Sequence, residues 1–219
     1  MKHETLNSIV ALLGLGLAAI TAWHQFGPKS DTITLVSEGR VETGTPLEIQ
    51  PFGTLDEITG ERQPVAGPVT WKVRVHNTSH HSVSLVSYEL LHLGEDDSLI
   101  YYSAMRERLS PNNPTLPVQS LPDNIPLNES RAYFVSLFVP FQADQDMDNA
   151  CGDAVETIQE LEYCFHEKGR DMFGNQAETI EQGGLRHTVV ETFSAPKFLL
   201  VLQTADGSTF GAELTFLPY

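Results

Sequence analysis

The chain has few cations for its number of acids. Lysine and arginine total 13 against 29 aspartate and glutamate residues, which gives a formal net charge of −16. So large a negative excess disfavours nucleic acid and anionic lipid headgroups as partners for most of the surface. Basic protein surfaces, cationic peptides and divalent metals fit this charge better, so the composition predicts a partner of that kind.

Sequence motifs of common enzyme sites are also missing. The chain has no glycine-rich phosphate loop, no Gly-x-Ser-x-Gly elbow and no His-Glu-x-x-His helix. The adjacent acids Glu95, Asp96 and Asp97 fall in a predicted turn, where a solvated role is expected rather than acid–base catalysis. These absences favour a non-enzymatic function. A hydrolase whose site assembles from scattered residues is retained as an alternative.

One long apolar segment lies close to the N-terminus. Residues 6–23 carry no charge and only three polar side chains. As a helix they would span about 27 Å, against about 30 Å for a bilayer core. We therefore predict a transmembrane signal anchor with a short linker over residues 1–28, and an extracytoplasmic domain, periplasmic or extracellular, over residues 29–219. The alternative is a signal peptide whose cleavage after Ala22 would give a secreted domain.

Small residues recur at intervals of four in this apolar segment, at Gly14, Ala18 and Ala22. Such spacing allows two membrane helices to approach closely, which predicts a homodimer through this face. The bland explanation is that glycine and alanine are common in any membrane helix.

Short strand patterns fill most of the remaining sequence. Apolar residues at Val69, Trp71, Val73 and Val75 alternate with polar ones, and residues 83–93 and 99–104 are predicted to continue a meander from this strand. Residues 39–68 are predicted to be irregular. In residues 83–93 the apolar positions change parity between Leu85 and Val86, which predicts a β-bulge or burial on both faces.

Further strands are predicted over residues 32–37, 131–139, 185–193, 197–204 and 208–217, with Asp206-Gly207 as the turn of a final hairpin. Seven to nine short strands with turns between them predict a mainly β fold, a β-sandwich with one helical insertion. The order of strand, asparagine-containing turn, strand, proline-rich crossing and strand resembles immunoglobulin-like extracytoplasmic modules. The resemblance is one of architecture and does not define a function.

The insertion, residues 141–184, interrupts the strand pattern. Asp153 and Glu156 resemble a capping box, and the apolar spacing that follows predicts a helix over residues 154–168. Cys151 and Cys164 would lie about 20 Å apart along one straight helix, whereas a disulfide needs Cα atoms within about 7 Å. Either the helix is shorter and the chain doubles back, or the thiols stay apart. Export to an oxidising compartment would favour formation of the disulfide.

Two groups of residues are candidate metal ligands. Asp144, Asp146 and Asp148 alternate and are followed by Asp153, an arrangement that can converge on calcium. The match to an EF-hand loop is partial, and a solvated acidic loop is the plainer interpretation.

Histidines cluster at one predicted strand end, where His76, His80 and His81 offer neutral imidazoles to zinc, copper or nickel. Exposed turn residues are the plainer interpretation of these three. His92 and His187 stand alone on predicted strands and are expected to be structural. No other cofactor is predicted.

Taken together, these features favour a membrane-anchored extracytoplasmic module that binds a protein partner or takes part in assembly. A metal-binding extracytoplasmic protein is the first alternative and a hydrolase the second. Two glycosylation sequons, at Asn77 and Asn128, have meaning only in a source that modifies asparagine.

Overall fold

The computed structural model describes residues 30–55, 62–94, 98–111, 121–142, 151, 155–182, 185–190 and 194–216. The chain divides into two compact units, Met1–Asp31 and Thr32–Tyr219, and the described strands belong to the second unit. Its described strands are β1 (Ile33–Val41), β2 (Glu48–Leu55), β3 (Arg62–Asn77), β4 (Val83–Leu93), β5 (Leu99–Ile100), β6 (Arg108–Pro111), β7 (Asp123–Ile125), β8 (Ser130–Pro140), β9 (Ala177–Gln182), β10 (Leu185–Val190), β11 (Lys197–Thr204) and β12 (Thr209–Leu214). The described residues also form one α-helix, α1 (Ile158–Glu167). The prediction of a mainly β fold with a helical insertion is confirmed.

Ten of these strands form two antiparallel sheets. The first has the order β1-β3-β8-β6, with β2 also paired to β3, and the second has the order β12-β11-β4-β5, with β7 also paired to β4. The predicted meander is wrong, because β3 and β4 belong to different sheets. Both edges of β3 are occupied, by β1 and β2 on one side and by β8 on the other, so the chain crosses to the second sheet after Asn77.

Strand β3 forms the middle of the first sheet because its alternating apolar side chains all point into the core. Trp71, Val73 and Val75 have no exposed surface. The strand also extends upstream into the stretch predicted to be irregular, where β2 pairs with it. Its register on β8 shifts between Ala66 and Val69. A Cβ on Gly67 would lie 2.9 Å from the carbonyl oxygen of Leu137, so only glycine fits this close approach of two backbones.

Strand β4 contains the predicted β-bulge. Gln203 of β11 pairs with Ser87 and Thr204 pairs with Leu85, so Val86 is an extra residue with no partner in this register. Val86 is 39% exposed, while Leu85 has no exposed surface. The parity change seen in the sequence is therefore a bulge, as predicted.

Both sheets contribute to one hydrophobic core. Trp71 of β3 donates a hydrogen bond from Nε1 to the carbonyl oxygen of Thr215, 3.1 Å away, just beyond β12. The Trp71 ring also contacts Phe198 and Phe216, with centroids 6.0 and 5.1 Å apart. This side chain links the two sheets.

A polar cluster forms a second link between the sheets. Asp123 of β7 accepts a hydrogen bond from the Tyr133 hydroxyl at 2.6 Å and pairs with Arg131, both residues of β8. Burial raises the pKa of Tyr133, and the hydrogen bond to Asp123 raises it further, so the phenol stays protonated. Because β7 belongs to the second sheet and β8 to the first, the cluster ties the two sheets together.

The insertion carries helix α1 and the β9–β10 hairpin. The helix begins later than predicted: Thr157 is its N-cap, and a capping box joins Thr157 with Glu160 rather than Asp153 with Glu156. Since the chain doubles back before the helix, Cys151 and Cys164 form a disulfide with Cα atoms 6.1 Å apart. The disulfide prediction is confirmed, and the shorter-helix alternative is the one that the structure adopts.

No helix within the described ranges is long and apolar enough to cross a membrane. The predicted anchor, including Gly14, Ala18 and Ala22, lies outside those ranges.

Candidate binding site

A cleft of about 720 Å³ opens at the end of the sheets remote from Thr32. Thr32 bonds through its backbone N–H to Ser79 Oγ at 2.7 Å and lies beside Asn77, the last residue of β3. Gln63, near the first residue of β3, lines the cleft. Fourteen residues of extended chain separate Gln63 from Asn77, roughly 45 Å at the rise of a β-strand. The cleft is therefore far from the point where the chain enters this unit.

The cleft is built from both sheets and from the insertion. Its lining residues are Gln63, His92, Leu93, Gly94, Pro140, Phe141, Gln142, Phe173, Ser194, Ala195, Pro196, Lys197, Glu213, Thr215 and Phe216. Most are apolar or uncharged, and the charged side chains among them are Lys197 and Glu213. Such a lining suits an apolar group accompanied by a few directed polar contacts.

Three phenylalanines, Phe141, Phe173 and Phe216, belong to the lining. Phe216 contacts the edge of Phe173, with ring centroids 4.7 Å apart, and the guanidinium of Arg40 lies 4.8 Å from its centroid. Arg40 also pairs with Glu162 of α1 at 2.7 Å. Phe141 packs on Phe165 of α1 with centroids 6.1 Å apart. The aromatic lining is thus held in place by helix α1 and by a cation–π contact.

Asp171 organises the wall that carries Phe173. Its Oδ1 accepts hydrogen bonds from the backbone N–H groups of Phe173 and Asn175 at 2.9 and 2.8 Å, and its Oδ2 accepts from Asn175 Nδ2 at 2.6 Å. Asn175 in turn bonds the backbone N–H and carbonyl of Ser194, each at 2.9 Å. This network fixes Phe173 and joins two lining segments that are distant in sequence.

We expect Asp171→Ala to lower the free energy of unfolding by about 2 kcal/mol, because three donors lose a largely buried acceptor. Asp171→Asn keeps one oxygen but places an NH2 group against Asn175 Nδ2, so a loss of about 1 kcal/mol is expected. Chemical unfolding of the purified chain measures both values. Glu178→Ala, at an exposed position on the neighbouring β9, is the matched control and should change stability little. Equal stability of Asp171→Ala and wild type would contradict this role.

Gly174 allows Gln142 to enter the lining. The residue has φ of +87°, and a Cβ there would lie 2.1 Å from Gln142 Oε1. The backbone N–H of Gln142 bonds the carbonyl oxygen of Met172 at 2.9 Å, which fixes the segment beside the cleft. Any larger residue at position 174 would both strain the backbone and displace the Gln142 amide.

The ionisable groups of the cleft are one ion pair and one histidine. Lys197 Nζ and Glu213 Oε1 lie 3.8 Å apart on neighbouring strands, and both side chains are about half exposed or more. His92 was expected to be a structural residue, but it lines the cleft from the end of β4. Burial lowers the pKa of His92, which favours a neutral imidazole at neutral pH.

The sequence-predicted histidine group lies at the opposite end from the cleft. His76 is near the end of β3, where Nδ1 lies 2.7 Å from Ser130 Oγ in a hydrogen bond, and His80 and His81 follow in the crossing to β4. Within the ranges given above, no group of three His, Cys, Asp or Glu side chains is arranged to hold a metal ion. The three histidines are therefore not brought together as a ligand set.

The predicted calcium ligands Asp144, Asp146, Asp148 and Asp153 all lie outside the described residues. The calcium site therefore stays a prediction.

The two sequons differ sharply in environment. Asn77 has no exposed surface, and its Nδ2 donates to the carbonyl oxygens of His81, Ile125 and Pro126 at 2.8, 2.9 and 3.1 Å. Its Oδ1 accepts from the backbone N–H of Ser79 at 2.9 Å.

Asn128 is exposed in a turn with φ of 60°. In the folded protein the Asn77 amide is buried and hydrogen-bonded to the turns around it. Of the two asparagines, Asn128 is the one accessible for modification.

The cleft could not be predicted from the sequence. Asp171, Gly174 and Asn175 were visible as turn-forming residues, but nothing local showed what that turn holds. No protein-family model matches the chain, and a comparison with curated proteins finds no significant sequence similarity.

Proposed function

We propose that this chain is a membrane-anchored extracytoplasmic binding module that uses the aromatic cleft to hold a segment of a basic protein partner. In this proposal the second unit is an immunoglobulin-like β-sandwich, and the apolar segment near the N-terminus is its signal anchor. The observation that carries the proposal is the cleft, an aromatic-lined concavity assembled from both sheets and from the insertion.

The architecture supports this assignment. Two antiparallel sheets of five strands share one core, and two polar ties, at Trp71 and at Asp123, join them. A rigid two-sheet body that carries its binding groups at one end is the usual arrangement of extracellular β-sandwich modules.

The disulfide supports an extracytoplasmic location. Cys151 and Cys164 are bonded, and no cysteine is left free. Stable structural disulfides are typical of oxidising compartments and rare in the cytosol. The uncharged apolar residues 6–23 provide a means of export and retention.

The charge supports a basic partner. The chain carries a net charge of −16. In the sequence, three acids follow the lining residue Gly94 directly, and Asp144 follows the lining residue Gln142 by two positions; these acids lie outside the described residues. A basic segment would be steered toward such a protein, and an apolar side chain beside its cations would fill the cleft.

Photocrosslinking in membranes tests the proposal. Phe173 is replaced by p-benzoylphenylalanine, an aromatic residue of similar placement, and cells of the source organism are irradiated and fractionated. We expect the full-length chain in the membrane pellet and a discrete protein adduct that forms at low salt and decreases in 0.5 M salt, because Coulombic attraction between exposed charges is screened.

The matched control carries the same photoreactive residue at Val86, which is exposed on β4 away from the cleft. This variant should give no such adduct. Recovery of the chain from the cytosol would contradict the anchor. Equal adducts from both positions, or an adduct unaffected by salt, would contradict a cleft that selects a basic partner.

A further inference from the structure

His92 is held rigidly in the cleft wall by two aromatic rings. Its ring lies 5.3 Å from that of Phe198 at an angle of 34°, and 6.1 Å from that of Tyr102 at an angle of 89°. Tyr102 is itself fixed, because its hydroxyl donates to the carbonyl oxygen of Phe138 at 2.8 Å. The imidazole plane is therefore set by packing before any partner arrives.

The polar atoms of this ring are unused within the described part of the chain. The His92 ring packs on those of Phe198 and Tyr102, and neither nitrogen has a hydrogen-bond partner among the described residues. A neutral imidazole carries one donor and one acceptor, and a partly buried one gains from satisfying them. An oriented but unbonded polar group in a cleft is the kind of group that fixes the orientation of a ligand.

We propose that His92 is the recognition residue of the cleft and that its unprotonated nitrogen accepts a hydrogen bond from an N–H group of a basic peptide segment. This inference rests on the proposed function and adds the contact that selects the occupant. The apolar side chains of the segment would lie on Phe173, which is partly exposed, while its cations would meet Glu213.

The surroundings of His92 favour its neutral form, which can accept a hydrogen bond, over the charged imidazolium. The titratable and charged groups around it are Tyr102, which packs on its ring, and Lys197 and Glu213, which line the cleft. Burial lowers the pKa of His92 and raises that of Tyr102, so both groups are neutral near pH 7. Protonation of His92 in acid would remove the acceptor and add a charge of the same sign as the peptide.

Peptide titration of the full-length chain in detergent tests this inference. The probe is a blocked hexapeptide that alternates phenylalanine and lysine, and the control peptide alternates phenylalanine and glutamate. His92→Phe keeps an aromatic ring between Phe198 and Tyr102 but removes both nitrogens. We expect this variant to bind the lysine peptide about tenfold more weakly than wild type, because one N–H of the peptide loses its acceptor.

A matched control and a second readout separate the outcomes. His76→Phe, at the opposite end of the unit, should bind the peptide as wild type does. In wild type, the ¹⁵N resonance of the accepting imidazole nitrogen should move on peptide addition, and the measured pKa of His92 should fall, since a hydrogen bond to the neutral ring favours that form.

Three results would overturn the inference. If the lysine peptide binds and the His92 resonance stays unmoved, His92 is not the recognition residue even though the cleft still binds. If His92→Phe binds equally well or better while its melting curve matches wild type, the same conclusion follows. If wild type binds neither peptide, or binds both equally, the proposed function fails and the role of His92 fails with it.

Discussion

Replacing Asn77 with alanine is expected to lower the free energy of unfolding by about 3 kcal/mol, the sum of several buried hydrogen bonds at about 1 kcal/mol each. The side chain is fully buried and bonds three carbonyl oxygens and one backbone N–H. These groups belong to the crossing after β3 and to the turn between β7 and β8. Alanine would leave them without partners where water has little access. Urea unfolding followed by circular dichroism measures the change.

Asn77→Asp tests the donated hydrogen bonds separately, because an ionised carboxylate has a similar shape but cannot donate to the three carbonyl oxygens. We expect a loss at least as large as that of alanine at pH 7. Burial beside carbonyl oxygens raises the pKa of the new carboxyl group, so the loss should shrink as the pH falls toward about 4, because the protonated group regains one donor. Asn124→Ala is the control: Asn124 is exposed on β7, and its Oδ1 lies 3.5 Å from Ser84 Oγ. If Asn77→Ala were as stable as Asn124→Ala, the network would contribute nothing.

Removing the disulfide has the second large expected effect. Cys151 and Cys164 enclose a short loop, with a sequence separation of 13. In the chain-entropy model, opening a loop of this size costs about 3 kcal/mol of stability. We therefore expect the double substitution of both cysteines by alanine to lower the free energy of unfolding by about that amount. The neighbour of Cys164, Phe165, packs on the cleft residue Phe141, so peptide binding should weaken as well.

Reduction provides the control for this prediction. Dithiothreitol should destabilise wild type to about the level of the double alanine variant and should leave that variant unchanged. A thiol assay of unfolded, unreduced wild type should find no free thiol. The entropic account would be wrong if the double variant unfolded at the same urea concentration as wild type.

Local patterns predicted the elements well. The alternation around Trp71, the Asp206-Gly207 turn and the parity change at Val86 each follow from the period of a strand or from turn chemistry. The helix start was harder, because Asp153 with Glu156 and Thr157 with Glu160 have the same spacing. The structure decides between them, since Thr157 is the N-cap and its side chain accepts a hydrogen bond from the backbone N–H of Glu160.

Sheet membership and the cleft were beyond sequence reasoning. The separation of β3 from β4 depends on β1, β2 and β8 occupying both edges of β3, and no residue in the crossing signals this. The cleft brings together residues from Gln63 to Phe216, whose approach depends on the whole fold. His92 shows the difficulty, because a lone histidine on a strand has the same local pattern whether it lies in a core or faces a ligand.

The bulge in β4 also determines how the strand tolerates changes of length. Leu85 and Leu90 both face the core, although residues five positions apart in a regular strand point to opposite faces. The unpaired Val86 between them makes this possible. A version of the strand without residue 86 would alternate without interruption and would bury the same side chains. Loss of a residue anywhere else in the paired part of β4 would instead turn a set of buried leucines toward solvent. Position 86 is thus the place in this strand where a residue can be lost at little cost to the fold.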